Sequence, residues 1–282
     1  MTNKQLTGLI KRLMVYIIAI PLLFLAFLYF FQDHMMYYPR PIDPLSRKVI
    51  DKYFPGADIE LRSDDGTRLH GWYWHPQSAS LQESPVVIFF GGNAEEVSGM
   101  FLELAGFKDY GVATLNYRGY GLSEGRPAEK SMFQDALILY DYLINKEGYK
   151  AEQIIVMGRS LGTGVAVHLA SQRDVRSVVL ISPYDSMISL ASHHYPYAPV
   201  KWLLKHRYDS LSVAGKINKP LFILYAGADR IVPPVHAKRL AQAWAGKTRV
   251  IEIEKANHNS MASYPEYLHT LKQFLRESTE LH

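Results

Sequence analysis

QIIVMGRSLGTGVAVHLASQ, residues 153–172, joins an apolar run to a helix-forming stretch through Gly158-Arg159-Ser160-Leu161-Gly162. A short apolar run that ends at a glycine reads as a strand buried on both faces. The stretch after Ser160 reads as a helix whose Gly162 and Gly164 permit close packing on a sheet. Gly-x-Ser-x-Gly at such a junction is a sharp strand-to-helix turn. Side chains at its flanking positions would collide with strand and helix, and the serine hydroxyl stands at the top of the sheet. The same pattern recurs at Gly121-Leu122-Ser123-Glu124-Gly125. There the serine follows a loop, Tyr117 to Gly121, and precedes Arg126-Pro127, where no helix begins. Ser160 is therefore the candidate nucleophile and Ser123 is not.

Outward from this turn, apolar runs alternate with helical stretches. VVIFF (86–90), VATLN (112–116), QIIVM (153–157), SVVLI (177–181), LFILY (221–225) and VIEIE (250–254) read as strands. Helices are expected over roughly 95–108, 130–147, 161–172, 234–245 and 264–278. Upstream, DIELRSDDGTRLHGWYW alternates around Asp65-Gly66, the pattern of a β-hairpin. An antiparallel start followed by βα repetition predicts an α/β domain with a mostly parallel, doubly wound sheet. The segment Ser186 to Lys219 breaks the rhythm with His193, His194, His206, aromatic residues and two prolines. It reads either as a small cap over the carboxyl ends of the strands, where ligands of open α/β sheets bind, or as a surface excursion with a short helix.

A serine hydroxyl needs a histidine as general base and a carboxylate to hold that imidazole. Asp229 stands just beyond LFILY, and His258 just beyond VIEIE. The order Ser160, Asp229, His258 suits this strand-to-helix arrangement. Taken alone, Asp229 also fits a helix cap, and Asp185, after SVVLI, is the rival acid. Of the other histidines, His168, His236 and His269 fall inside expected helices. An oxyanion at the attacked carbonyl needs N–H donors. The backbone N–H of Leu161 is one candidate, and that of Asn93 in the turn Gly91-Gly92-Asn93-Ala94 is the other. Glu95 and Glu96 suit the N-terminus of the helix that follows. No GxGxxG, Walker loop or HExxH occurs, so neither a cofactor nor a metal is implied.

Leu13 to Phe31 (LMVYIIAIPLLFLAFLYFF) contains no charged side chain, and its 19 residues reach ~28 Å as a helix, close to the hydrocarbon thickness of a bilayer. It reads as a transmembrane helix with tyrosines at both ends. The run is too long for the apolar core of a signal peptide, and no small-x-small cleavage site follows it. Lys11 and Arg12 abut the segment, which predicts a cytoplasmic N-terminus and an extracytoplasmic catalytic domain. The expected organisation is a basic tail (1–12), the transmembrane helix (13–31), a proline-containing extended connector (32–52) and the α/β domain (53–282), with 186–219 as the cap segment. The chain of 282 residues carries a formal charge of +4. Without Lys4, Lys11 and Arg12 the balance is 28 cations against 27 anions, which is no nucleic-acid-binding surface. A hydrophobic content of 48% excludes disorder. The absence of cysteine excludes a disulfide scaffold, a thiolate zinc site and a cysteine nucleophile.

From about Asp58 to Leu275 the chain resembles the α/β-hydrolase superfamily. In particular it resembles the membrane-anchored branch that includes bacterial serine aminopeptidase-like hydrolases and eukaryotic protein depalmitoylases. The resemblance rests on FFGGNAEE, LNYRGYGLSEGRP, IIVMGRSLGTGVAVHLA, ISPYDS and YAGADRIVPPVHAKRL, with His258 after the last strand. It implies a Ser160, Asp229, His258 triad, acyl-transfer chemistry and a structural role for the loop Asn116 to Pro127. Many relatives have His-Gly-Asn where this chain has Gly91-Gly92-Asn93; the change keeps the donor N–H and bears on the shape of the acyl pocket. The expected activity is hydrolysis of a carboxylic ester or thioester through an acyl-serine intermediate. The tether and the aromatic-rich segment favour a fatty-acyl or otherwise lipophilic substrate. A peptidase with the same triad and a non-catalytic binding protein are the alternatives.

Overall fold

The computed structural model describes residues 3–76 and 84–280. Residues 1–2, 77–83 and 281–282, which belong to the expected basic tail and α/β domain, lie outside the described residues. Asp58–Arg62 (β1) and Arg68–Trp74 (β2) form the expected hairpin, Asp58 opposite Trp72. Gly66, at φ +82°, supplies the left-handed residue the turn needs. Six strands follow: β3 (Val86–Phe90), β4 (Gly111–Leu115), β5 (Ile154–Arg159), β6 (Ser177–Ile181), β7 (Leu221–Ala226) and β8 (Thr248–Ile253). The sheet order is β1-β2-β4-β3-β5-β6-β7-β8, antiparallel at β1, β2 and β4 and parallel from β4 onward.

Strands β3, β4, β6 and β7 are buried along their whole lengths, which is why they read as continuous rather than alternating apolar runs. Val86, Ile88 and Phe90 face a core shared with α4 (Glu129–Asn145), α5 (Leu161–Gln172) and α9 (Pro234–Ala243). Val87 and Phe89 face a second core built with α2 (Pro44–Tyr53), α3 (Ser98–Ala105) and α10 (Pro265–Glu280). The helices thus cover both faces, and the carboxyl ends of β3, β5, β7 and β8 converge on one edge.

Two expectations need correction. The connector 32–52 is not extended: α1 runs from Asn3 to Met36, and Pro44 opens α2. Asp43 accepts a hydrogen bond from the Ser46 N–H at 2.7 Å and caps that helix. Proline disfavours a helix interior, but the first turn has no N–H to lose. Pro39 and Pro41 fall in the short extended link between α1 and α2. The helix expected over 95–108 begins only at Ser98, because Glu95 and Glu96 are engaged elsewhere.

The segment 186–219 divides in two. Its helices α6 (Met187–His194) and α7 (Val200–Leu203) border the cavity above Ser160, as a cap would. Tyr208, Ala214 and Ile217, around α8 (Leu211–Ala214), are buried in the core with α5 and α9.

The loop 116–127 is held by buried polar contacts. Arg118 Nε and Nη2 each donate to Asp135 at 2.9 Å, while Nη2 also reaches Ser63 Oγ at 2.6 Å. Both side chains are more than nine-tenths buried. Arg118→Ala would strand the Asp135 carboxylate, and a loss of about 3–5 kcal/mol in stability is expected from urea unfolding. A change under about 1 kcal/mol would place the loop's stability elsewhere.

Candidate active site

Ser160 lies between β5 and α5 with φ +49° and ψ −116°. Such a conformation costs on the order of 1–3 kcal/mol for a residue with a side chain. The surroundings impose it. The Ser160 N–H donates to the Ile181 carbonyl at 2.8 Å, continuing the β5–β6 ladder through the serine. A Cβ at Gly158 would overlap the Gly162 carbonyl, and one at Gly162 would overlap the Phe90 carbonyl. The two glycines of the motif are therefore required by close backbone packing, as the sequence pattern implied.

Asp229 follows β7 and His258 follows β8. Their loops are tied together where the Gly227 N–H donates to the Ile253 carbonyl at 3.0 Å and the Ala228 N–H to the Ala256 carbonyl at 2.9 Å. The three nominated side chains meet. His258 Nδ1 is 2.6 Å from Asp229 Oδ2, and His258 Nε2 is 3.0 Å from Ser160 Oγ. A carboxylate only accepts, so Nδ1 carries the proton and Nε2 presents its lone pair to the hydroxyl. Asp229 Oδ1 accepts the N–H groups of Ile231 and Val232 at 2.9 and 2.8 Å, which fixes the buried carboxylate in rotation.

The rival acid and the second serine have other partners. Asp185 and His236 are both about 1% exposed and pair at 2.8 Å. Asp185 also accepts the Ser186 N–H at 2.7 Å and the Ser189 hydroxyl at 3.2 Å. Burial works to raise its pKa. The His236 contact and the two further donors outweigh this and hold it below the usual 3.8. Its stabilising contribution is thus present above that value and is lost as pH falls through the depressed pKa. Ser123 is buried; its Oγ accepts the His70 N–H at 2.9 Å and donates to the Asn116 carbonyl at 2.8 Å, fastening the 116–127 loop to β2.

The turn Gly91-Gly92-Asn93 lies against Ser160, and Gly92 is within van der Waals distance of Ser160 Cβ for any added methyl group. Its carbonyls are all occupied. Tyr117 donates to that of Gly91 at 2.8 Å, the Glu95 N–H to that of Gly92 at 3.4 Å, and Tyr120 to that of Asn93 at 2.5 Å. Burial pushes the Tyr120 hydroxyl up to about 12 and raises that of Tyr117 well above its ordinary value, so both remain donors at neutral pH. Glu95 does not cap a helix as expected. It accepts the Gly92 N–H at 2.6 Å and Arg159 Nε at 2.8 Å, linking the turn to the residue before Ser160. Asn93 and Leu161, the nominated oxyanion donors, both border the cavity beside Ser160.

That cavity measures about 790 Å³, within the range of small-molecule sites. Ser160 and His258 lie at its base. One wall comes from Phe24, Leu28, Gln32, Met35 and Met36 of α1, the helix whose only expected role was to cross a membrane. Phe24 and Leu28 fall in an apolar run with no distinguishable inner face; the polar Gln32 just beyond that run is the signal that could have marked this wall. Among the described residues no group of three or more His, Asp or Glu side chains is arranged to hold a metal ion.

A mostly parallel eight-stranded sheet with a serine on the turn after β5 defines the α/β-hydrolase class, and this chain belongs to the α/β-hydrolase superfamily. Residues 85–211 match the α/β-hydrolase-fold family. An uncharacterized protein of Mycobacterium tuberculosis H37Rv is 32% identical over 264 residues, 91% of this chain and 92% of its own length. The α/β hydrolase domain-containing protein 17C of Homo sapiens is 27% identical over 192 residues, 67% of this chain and 57% of that one. Among solved structures, an esterase of Pyrococcus furiosus superposes with a TM-score of 0.68 at 19% identity, covering 86% of this chain and 99% of the esterase. An α/β hydrolase of Vibrio vulnificus superposes equally well, TM-score 0.68 at 21% identity, over 86% and 92% of the two chains. At these identities the superpositions establish the fold alone.

Proposed function

We propose that this chain is a membrane-anchored serine hydrolase that cleaves a carboxylic ester or thioester. The observation that carries this is the hydrogen-bonded series Ser160, His258, Asp229, with links of 3.0 and 2.6 Å. His258 Nε2 takes the hydroxyl proton as Ser160 Oγ bonds to the substrate carbonyl carbon. The resulting oxyanion is met by the N–H groups of Leu161 and Asn93. Each such donor is typically worth about 3 kcal/mol. The first N–H of α5 has no intrahelical acceptor and points along the helix dipole. The hydrogen bonds to the three carbonyls of the 91–93 turn fix the peptide that carries the Asn93 N–H. The tetrahedral species then collapses, and His258 returns the proton to the departing alcohol or thiol. A water molecule, activated by the same imidazole, releases the acid and restores Ser160.

An ester is proposed ahead of a peptide bond by analogy with two proteins of the same fold, an esterase of Pyrococcus furiosus and an acetyl xylan esterase of Paenibacillus. The anchor is supported by α1. It is long and apolar enough to cross a bilayer, and none of its most apolar 18-residue window is buried in the protein, as a core helix would be. Lys11 and Arg12 at its amino end favour a cytoplasmic N-terminus with the catalytic domain on the other side. The full-length enzyme, purified in detergent, is expected to react with a fluorophosphonate and to hydrolyse p-nitrophenyl esters faster than the matching anilides. Failure to label, with no ester turnover, would overturn the hydrolase reading. A preference for aminoacyl anilides would overturn the ester assignment.

A further inference from the structure

The membrane helix is built into the site. Residues 24, 28, 32, 35 and 36 of α1 fall within an arc of about 120° at 100° per residue, so one face of the helix forms the cavity wall. This contact is fixed by polar docking at its base. Gln32, the first polar residue after the apolar run, is 9% exposed. Its Nε2 donates to the carbonyls of Leu203 at 3.0 Å and Tyr29 at 2.8 Å, and its Oε1 accepts the Lys205 N–H at 2.8 Å. Asp33 pairs with His206 at 3.0 Å, and the hydroxyls of Tyr37 and Tyr208 lie 2.9 Å apart. A side-chain amide satisfied at both ends by backbone some 170 residues away specifies one position of the helix over the domain.

The wall from Met36 to Phe24 rises about 18 Å at 1.5 Å per residue. One leaflet of a bilayer's hydrocarbon is about 15 Å deep, the length of a long acyl tail. The far end of the wall lies inside the apolar run Leu13–Phe31, where hydrocarbon would surround it. Leu190 and Ala191 of α6 and Val200 and Leu203 of α7 complete the apolar lining. The charged pair in the lining, Glu95 and Arg159, is joined in an ion pair at the base. The amide of Gln32 is consumed by its own hydrogen bonds. Along the α1 wall no side chain is left to solvate a polar chain; the polar residues His194, Tyr195 and Asn259 belong to other parts of the lining.

Resting on the hydrolase reading, we propose that the substrate carries a long-chain fatty-acyl group, drawn laterally from the bilayer, whose tail lies against α1 while its carbonyl rests at Ser160. Acyl transfer is then as written above: the acyl carbon–oxygen or carbon–sulfur bond breaks, the acyl group passes to Ser160 Oγ and then to water, and the leaving group takes the proton.

The test uses the full chain in phosphatidylcholine nanodiscs and reads the ratio of kcat/KM for p-nitrophenyl palmitate to that for p-nitrophenyl butyrate. The wild-type ratio is expected to exceed one. Leu28→Trp fills the channel from α1 and Ala191→Phe fills it from α6. Each is expected to lower the ratio about 10- to 200-fold, the range over which added bulk in an apolar pocket discriminates. Leu23→Trp, on the opposite and 70% exposed face of the helix, keeps the wild-type ratio. Monopalmitoylglycerol and an S-palmitoyl-cysteine peptide, offered in the same discs, distinguish a lipid source from a protein one, and turnover of either supports the proposal. Butyrate hydrolysis with an unchanged ratio in both channel variants, or with neither palmitoyl substrate cleaved, overturns it while leaving the hydrolase reading in place. Absence of all ester turnover removes both.

Discussion

Replacing Ser160 by alanine is expected to lower ester turnover by about 10⁴- to 10⁶-fold and to abolish fluorophosphonate labelling. The position has no substitute. Among the described residues, Ser160 Oγ is the hydroxyl on His258 Nε2, at 3.0 Å, and its backbone is held at φ +49° by the ladder bond to Ile181. Alanine occupies that backbone as serine does and keeps the Cβ, so the loss is read as chemistry rather than unfolding. Ser123→Ala is the matched control. It keeps labelling and costs about 1–2 kcal/mol of stability, because the buried His70 N–H and Asn116 carbonyl lose their shared partner. Retention of most activity in Ser160→Ala would overturn the assignment.

Asp229→Asn is expected to lower kcat by about 10⁴-fold, the scale found when a triad aspartate is replaced by its amide. The direction follows from two hydrogen bonds. The N–H groups of Ile231 and Val232 both donate to Oδ1, so an asparagine would keep its carbonyl oxygen there and turn its NH₂ toward His258 Nδ1. An NH₂ donates, so Nδ1 would have to accept, the ring proton would move to Nε2, and the imidazole could no longer receive the serine proton. Asp185→Asn should behave differently. It weakens the buried pair with His236 and lowers stability by about 1–3 kcal/mol, while kcat changes less than about tenfold. Steady-state kinetics and thermal melts on the two variants separate these outcomes. An inactive Asp185→Asn beside an active Asp229→Asn would exchange the roles of the two carboxylates.

Much of the molecule was legible because the signals are local. The hairpin at Asp65-Gly66 and the runs that became β3 and β6 appear at their expected positions, since a fully buried parallel strand must be apolar at every residue. Gly158 and Gly162 could be read as a tight turn because no other residue fits against the Phe90 and Gly162 carbonyls. Prolines misled in the connector. Pro44 starts a helix instead of preventing one, a distinction that depends on the cap Asp43 supplies.

The amino-acid order by itself determined the alternation of strands and helices, the sharp turn at Ser160, and the positions of Asp229 and His258 just beyond successive strands, because each follows from periodicity or from sterics among near neighbours. The folded arrangement alone decided three things: that Glu95 braces the 91–93 turn through Arg159, that Asp185 belongs to His236, and that the apolar helix is a wall of the cavity beside Ser160. Those depend on contacts between residues about 50 to 170 positions apart. A carboxylate, an amide or an apolar face carries no mark of its partner until the chain has closed the loop between them.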